Sequence, residues 1–489
     1  MVLPDLRSGL WRCIPVKADT TLAEQIARLA SKTDLSTLPT EVIDSVKMRV
    51  LDTMGIAVAA APLETSRAAR RWVLNQKSSG PVNAIGIENK IPANLAAFVN
   101  GVLAHSLDYD DTHLPSVLHP SATVVPAALA AAQKMGSDGA SLLSAIAVGL
   151  EVTVRLGMAG FDPESGNSTF FEHGQHATSI CGAMGGAVAA AMLIGDESTV
   201  LHSMGIAGSM ASGIIESNRT GGTIKRLHCG WAANAALSAA ELASLGITGS
   251  PSVLEGRFGF FEAWLHGVFD EGEISEGLGE RWSIQDIFFK PYPANHFTHA
   301  AIDAGRSLRD QGIEIDQISE IVLGVPGPTV RTIGEPISIK RNPETGYMAQ
   351  FSGPYAVTVG LLGGGGLGAS LDDYTDELAQ DPVRRSLMSK ISVVADEKCT
   401  EIFPYQFPAV LTAKMKNGQV FTEEVLTNRG GPERPLSFSE IETKFINNAQ
   451  DVMRMEQIEQ FSSSCRNLEN VNDISEVISP LAMVDHGSL

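Results

Sequence analysis

Imidazole is the side chain whose ordinary pKa lies closest to neutral pH, so clustered histidines are where proton chemistry is sought first. Seven of the eleven histidines fall between positions 105 and 228, and His296 and His299 follow beyond. The densest cluster is His105-Ser106-Leu107-Asp108-Tyr109-Asp110-Asp111-Thr112-His113, with His119-Pro120-Ser121 a short loop later. Carboxylates beside imidazoles orient a ring or favour its charged form. The second cluster, Glu172-His173-Gly174-Gln175-His176-Ala177-Thr178, precedes an uncharged stretch. His176 would then stand at a helix N-terminus, where the dipole favours the neutral ring and its use as base or donor. In the third, Gly221-Gly222-Thr223-Ile224-Lys225-Arg226-Leu227-His228, the glycines allow close approach and Lys225 supplies a point charge. That suits a carboxylate ligand. Each cluster also has an ordinary reading: helix capping for the first two, an exposed basic pair for the third.

Such groups need rigid elements to hold them. Pro39-Thr40-Glu41 is a helix start, with Thr40 as the expected N-cap and Val42, Val46, Val50 and Met54 following at four-residue spacing. Similar helical stretches run over about 21–31, 93–107, 121–135, 138–157, 177–195, 199–215 and 231–245, with no convincing strand among them. Beyond Lys290-Pro291-Tyr292-Pro293 the character changes. Ile318–Val325, Ile391–Ala395, Ala409–Met415 and Val420–Leu426 read as strands, and Asn417-Gly418 supplies a hairpin turn. Helical patterns near 298–311 and 353–362 lie between them. After Pro432 and Pro435, Ser437–Ala449 and Met453–Ser462 return to helix. The expected fold is therefore mainly α: a large all-helical domain over 20–287, a smaller α+β domain over 288–430, and C-terminal helices over 431–489 rejoining the first. Gly363, Gly365 and Gly368 match GxGxxG, but without a βαβ setting they mark a glycine-rich helix end.

Composition narrows the function classes. The chain has 489 residues and a formal charge of −20, with no run of Lys or Arg, which argues against nucleic acid as a partner. Five scattered cysteines without a CxxC pair exclude a disulfide scaffold and a thiolate zinc site, and fit a reducing compartment. His105, Asp108 and Asp111 have metal-ligand chemistry, but HExxH is absent, and no metal is expected. His176 to Gly195 is long enough to span a bilayer, yet Ala, Gly, Ser and Thr dominate it, so a buried core helix is expected and no membrane partner. Met1 to Asp19 lacks the apolar run of a secretory signal and makes a poor mitochondrial presequence. The expected location is cytoplasmic, with a mitochondrial one left open.

At these motifs the sequence resembles the MmgE/PrpD family, which includes 2-methylcitrate dehydratases, cis-aconitate decarboxylases and iminodisuccinate epimerases. The matching text comprises Leu51-Asp52-Thr53-Met54-Gly55, Asn100-Gly101 to Pro120-Ser121, Gly174-Gln175-His176-Ala177-Thr178 and Gly221-Gly222 to His228. It continues with Leu254-Glu255-Gly256 to Gly259-Phe260, Lys290-Pro291-Tyr292-Pro293, His299-Ala300-Ala301-Ile302-Asp303 and Phe351-Ser352 to Pro354-Tyr355, from about 21 to 470. The resemblance implies a homodimer, a small polycarboxylate substrate, a helical domain with an α+β lid, a site between the two, and no metal or organic cofactor.

It also implies roles. Asp108, His119 and His176 would be catalytic; Thr112 and Lys225 would bind substrate, with His105, Asn295 and His296 as further binding candidates. The family's decarboxylases carry a His after the lid's Tyr/Phe-Pro-Ala, where this sequence has Asn295, with His296 displaced by one and expected to point outward. Asn295 could position a carboxylate without titrating. A lid tyrosine is also missing after Val325-Pro326, which reads Gly-Pro-Thr-Val. These departures favour a hydro-lyase acting on 2-methylcitrate or a related alkylcitrate. A cis-aconitate-type decarboxylase and an epimerase of an amino or imino dicarboxylate such as iminodisuccinate are the alternatives. All three reactions build charge next to a carboxylate, which fixed cations and donors must stabilise. A degenerate member serving as a scaffold is the contrasting reading, and intact His119, His176 and Lys225 speak against it.

Overall fold

The longest apolar stretches become the most deeply buried helices. The computed structural model describes residues 20–217 and 222–484. Met1 to Asp19, Gly221 of the third cluster and the last five residues lie outside the described residues. The helices Gly139–Ala159 and Ala177–Ile194 are long and apolar enough to cross a membrane, but most of each is buried inside the protein. Around them pack Thr40–Ala59, Ala93–Ala104, Ser121–Met135, Glu197–Met210 and Ile224–Ser244. Small residues set the spacing. A Cβ on Gly101 would lie 2.8 Å from the Cα of Gly230, so the Ala93 and Ile224 helices cross almost backbone to backbone. That crossing places the end of the first, at His105, beside the start of the second, at Lys225.

The sheet stands apart, with its own core. Its order is Val420–Val425, Ala409–Met415, Ile318–Val325, Ile391–Ala395; the first three strands run antiparallel and the last pairs parallel to Ile318–Val325. Ile321, Leu323 and Val325 turn inward, where the helices His299–Asp310 and Gly353–Leu362 cover the sheet. This second core draws its buried residues from Tyr292 to Val425. The first draws on Leu22 to Phe289 and again on Leu436 to Val484, so the C-terminal helices Phe438–Ala449 and Met455–Arg466 lie against the helical body. A small apolar cluster of Leu114, Phe288 and Phe407 joins the two.

Several local expectations change. Thr40 is the first helical residue rather than the cap: Pro39 takes the cap position, and its carbonyl accepts from the Val42 and Ile43 amides. A helix over Glu64–Leu74 and a hairpin of Val82–Ala84 with Ile87–Ile91 also interrupt the early helices. The helix is short and carries three arginines, and its buried apolar positions, Ala69 and Val73, are too few to declare it. The hairpin strands are too short for alternation to declare them. Gly363, at φ +89°, ends the Gly353–Leu362 helix, as its glycine-rich text indicates.

Candidate active site

A loop between two helices carries the first cluster. The Ala93–Ala104 helix ends at His105, and the chain crosses to Ser121 through two left-handed residues, Asp108 at φ +52° and Val117 at φ +56°. Such backbone is unfavourable for a β-branched residue and concentrates at functional sites. A short bridge holds the loop in place. Thr112 pairs with Phe288 and His113 with Ile287, which ties the cluster to the start of the sheet-bearing region. His113 turns away from the other rings and shares a 2.6 Å contact with Ser116.

His119 is buried, at 8% exposure, and its Nδ1 donates to the Asp111 carbonyl over 2.8 Å. A carbonyl can only accept, so Nδ1 carries the proton and Nε2 is left with its lone pair. Burial pushes the ring down to about 4, outweighing the pull of Asp110. The Thr112 hydroxyl stands 3.5 Å from the same Nδ1. His176 caps the Ala177–Ile194 helix position without a side-chain capping bond. Burial, together with positive charge at His105 and Lys225, holds it well below its ordinary value. Its Nδ1 lies 2.9 Å from Nδ1 of His228, one turn into the Ile224 helix.

Between these rings stands His105, 5.3 Å from His119 and 5.5 Å from His176 by ring centroids. Its Nδ1 meets Asp110 at 2.6 Å. Burial opposes its charge, but the Cys229 sulphur and the Asp110 carboxylate prevail and push it up to about 10. His105 is therefore the charged imidazole of the group, and His119 and His176 are the neutral ones.

Two lysines converge on Asp108. Its Oδ1 lies 3.3 Å from the Lys290 ammonium and 3.8 Å from that of Lys225, and its carbonyl accepts from Lys290 over 2.8 Å. Burial alone would raise this carboxyl; the two ammonium groups bring it below the ordinary value. Lys225, His119, His176, Gln175, Val117 and Phe171 line one narrow cleft. Asp108, Thr112, His119, His176, Lys225 and His105 are thus brought together. Asp111, however, is occupied by Arg49, Asp108 by the lysines and His105 by Asp110, so the candidate metal ligands are each drawn to a different partner.

The segment after Tyr292 differs from its expected arrangement. The Asn295 side-chain oxygen accepts from the Phe297 amide and caps a short 3-10 turn. His296 does not point outward. It is 4% exposed, packed among Phe288, His299 and Phe407, and neither ring nitrogen has a partner. Burial, with the Lys290 ammonium nearby, holds it well below its ordinary value. A one-residue cap therefore reverses which side chain faces inward. Lys290, Asp110 and His228 are site residues that sequence reasoning did not single out. Lys290 precedes Pro-Tyr-Pro and reads as part of a boundary, although a lysine beside prolines in an apolar run was a usable signal.

Comparison with known proteins now bears on this constellation. Residues 24–271 match the MmgE/PrpD N-terminal domain and residues 292–470 the MmgE/PrpD C-terminal domain. The chain belongs to the MmgE/PrpD family. It is 29% identical to the cis-aconitate decarboxylase of Homo sapiens over 93% of this chain and 93% of that protein. It is 24% identical to the cis-aconitate decarboxylase of Aspergillus terreus over 95% of this chain and 96% of that protein. The mitochondrial 2-methylcitrate dehydratase of Yarrowia lipolytica is 26% identical over 35% of this chain and 32% of its own length. This MmgE/PrpD protein is a family enzyme of the dehydratase or decarboxylase kind. Its C-terminal family domain runs from the sheet into helices that pack on the other core.

The neutral imidazoles make the MmgE/PrpD fold of this chain acid-sensitive. Burial holds His113, His119 and His228 near about 4 and His299 near about 3, against roughly 6.5 in an unfolded chain. As pH falls below that unfolded value the unfolded chain takes up protons that the folded chain refuses. The stability they contribute is present above it and lost as pH falls toward the folded values. His105, raised to about 10, and Asp52, raised to about 6 by burial, act in the opposite sense and offset part of the loss. His176 and His296 are depressed in the same way, and it is the imidazoles that the unfolded chain protonates in this range, so the thermal midpoint should fall between about pH 7 and about pH 5. Calorimetry showing a higher midpoint at the lower pH would contradict neutral, buried rings.

Proposed function

We propose that this protein is a decarboxylase of the cis-aconitate type, releasing CO₂ from a small unsaturated tricarboxylate. One observation carries the choice over dehydration. The cis-aconitate decarboxylases align with nearly the whole chain, whereas the 2-methylcitrate dehydratase aligns with about a third of it. The two departures that favoured a dehydratase also lose weight. The lid segment does turn a histidine, His296, into the interior. A tyrosine from elsewhere in the same region, Tyr347, lies with its ring 5.8 Å from the guanidinium of Arg226, the neighbour of Lys225 in the chain.

The chemistry suits the groups present. When a carboxylate leaves a carbon next to a double bond, its bonding pair forms a new double bond and the old one shifts. Negative charge then collects beside a remaining carboxylate, where one proton must be added. Lys225, with Thr112, holds that carboxylate as charge builds, and Asp108 fixes the ammonium in place. Preset cations near a dry site are worth more than the same charges in water. His176 supplies the proton to carbon. His119 presents a bare Nε2 that accepts a hydrogen bond or a proton from the substrate.

Incubation with cis-aconitate, 2-methylcitrate, citrate and iminodisuccinate in deuterated water, followed by NMR, tests the reading. Loss of CO₂ from cis-aconitate with one deuterium in the product is expected. Water loss from 2-methylcitrate as the only reaction would establish the hydro-lyase instead, and simple exchange or inversion of the amino or imino acid would establish the epimerase.

A further inference from the structure

The reaction proposed above consumes one proton per turnover, because CO₂ departs and hydrogen replaces it. A donor in a closed cleft must therefore be reloaded from solvent. Among the described residues, one side chain is hydrogen-bonded to His176, that of His228. We propose that His228 is the reloading residue, passing a solvent proton through the 2.9 Å contact between its Nδ1 and that of His176. This inference rests on the decarboxylase reading of the same site.

The geometry favours a relay over a passive contact. Two imidazole nitrogens at 2.9 Å hold one proton between them, because two N–H groups would face each other and two lone pairs would repel. When His228 donates, His176 must carry its own proton on Nε2, the nitrogen left for the substrate. In one cycle the His176 Nε2–H bond breaks as the product's C–H bond forms. The His176 Nδ1–H bond forms as the His228 Nδ1–H bond breaks, and a solvent proton makes a new His228 Nε2–H bond. Each ring stays neutral at the end, and once product leaves, water in the opened cleft gives a proton to His176 Nε2 as its Nδ1–H proton passes back to His228 Nδ1 and the His228 Nε2–H proton leaves to solvent, which restores the starting tautomers. His228 is itself buried, at 7% exposure, and stands one turn inside a helix whose opening residues, Gly222 to Ile224, are exposed, so in this relay the solvent proton enters past that turn.

The surroundings keep both rings neutral. His228 faces His176 from the Ala177 helix, the charged His105 from the end of the Ala93 helix, and Lys225 from its own first turn; Ser179 donates to its backbone carbonyl. Positive charge on His105 and Lys225 disfavours an imidazolium at either position, which suits transfer of a proton more than its storage. Among the described residues, no second imidazole is hydrogen-bonded to His119. Its Nδ1 is committed to a backbone carbonyl, which cannot supply a proton.

Two variants test the relay, read by kinetics on cis-aconitate. His228→Gln keeps a polar side chain but cannot pass a proton between two ring nitrogens. We expect kcat to fall by about tenfold or more with KM within about threefold, and the solvent deuterium effect on kcat to rise. His228→Ala opens space, and added imidazole should restore a large part of the lost kcat without changing KM. A His228→Gln enzyme with wild-type kcat overturns the relay. So does a His228→Ala enzyme whose lost turnover imidazole does not restore, or whose KM rises while kcat holds. The two readings fail separately: a wild-type enzyme that releases no CO₂ from cis-aconitate overturns the decarboxylase, whereas unrescued variants of an active wild type overturn the relay alone.

Discussion

Replacing His119 or His176 with alanine is expected to lower kcat by about 10²- to 10⁴-fold, the usual cost of removing one positioned acid or base. The fold should survive, because neither ring ties two cores together. His119 holds its own loop through the Asp111 carbonyl, and its backbone amide, which the substitution keeps, donates to the Thr178 hydroxyl over 3.2 Å. The two variants should also differ. His119 is pushed down to about 4 by burial, so a rate that needs its lone pair persists well below the ordinary imidazole range and declines only as pH approaches that value. The sign follows from the role: an acceptor is lost on protonation, which occurs as pH falls. Loss of His176 should remove deuterium delivery to carbon, and loss of His119 should not. Initial rates with each acid, checked against circular dichroism of the same preparations, measure both effects. Near-wild-type turnover by both variants on the true substrate would place the chemistry elsewhere.

The helices were legible in the sequence because their signal is repeated. Val42, Val46, Val50 and Met54 mark one face four times over, and an error of one residue at Thr40 does not change which face is buried. The strands around Asn417-Gly418 were legible for the same reason, since a turn and two β-rich runs agree. The Glu64–Leu74 helix was not, because its arginines dilute the stripe that Ala69 and Val73 bury.

The candidate site divides similarly. Loop histidines and a glycine-flanked lysine announce themselves by residue type, and the structure gathers His119, His176 and Lys225 around one cleft. What the sequence hides is which buried charge meets which. Lys290 and Lys225 are far apart along the chain, and only the fold brings both to Asp108. The exchange between Asn295 and His296 is hidden for another reason: one hydrogen bond to the Phe297 amide decides which neighbour faces inward. No spacing rule resolves a choice between adjacent residues in a short turn.

Arg49, on the Thr40–Ala59 helix, is 1% exposed and meets Asp111 at 2.7 Å. Its other terminal nitrogen donates to the Ile284 and Ile287 carbonyls, at 3.1 and 2.7 Å, and its guanidinium lies over Phe289. Asp111 also accepts from the backbone amide and hydroxyl of Ser121, and its own carbonyl fixes His119. One guanidinium therefore joins the loop carrying the first cluster to the strand that leads into the sheet-bearing region. Removing a single member of a buried ion pair leaves the other charge uncompensated, which costs about 3–5 kcal/mol. Arg49→Met should lower the unfolding free energy by that amount and also reduce kcat, because the His119 loop loses its anchor. Adding Asp111→Leu to Arg49→Met removes the stranded charge, so the double variant should recover part of the stability without recovering turnover. Denaturant titration of the two single variants and the double gives the coupling directly. An Arg49→Met enzyme within about 1 kcal/mol of the parent would show that the pair adds little, as many exposed pairs do.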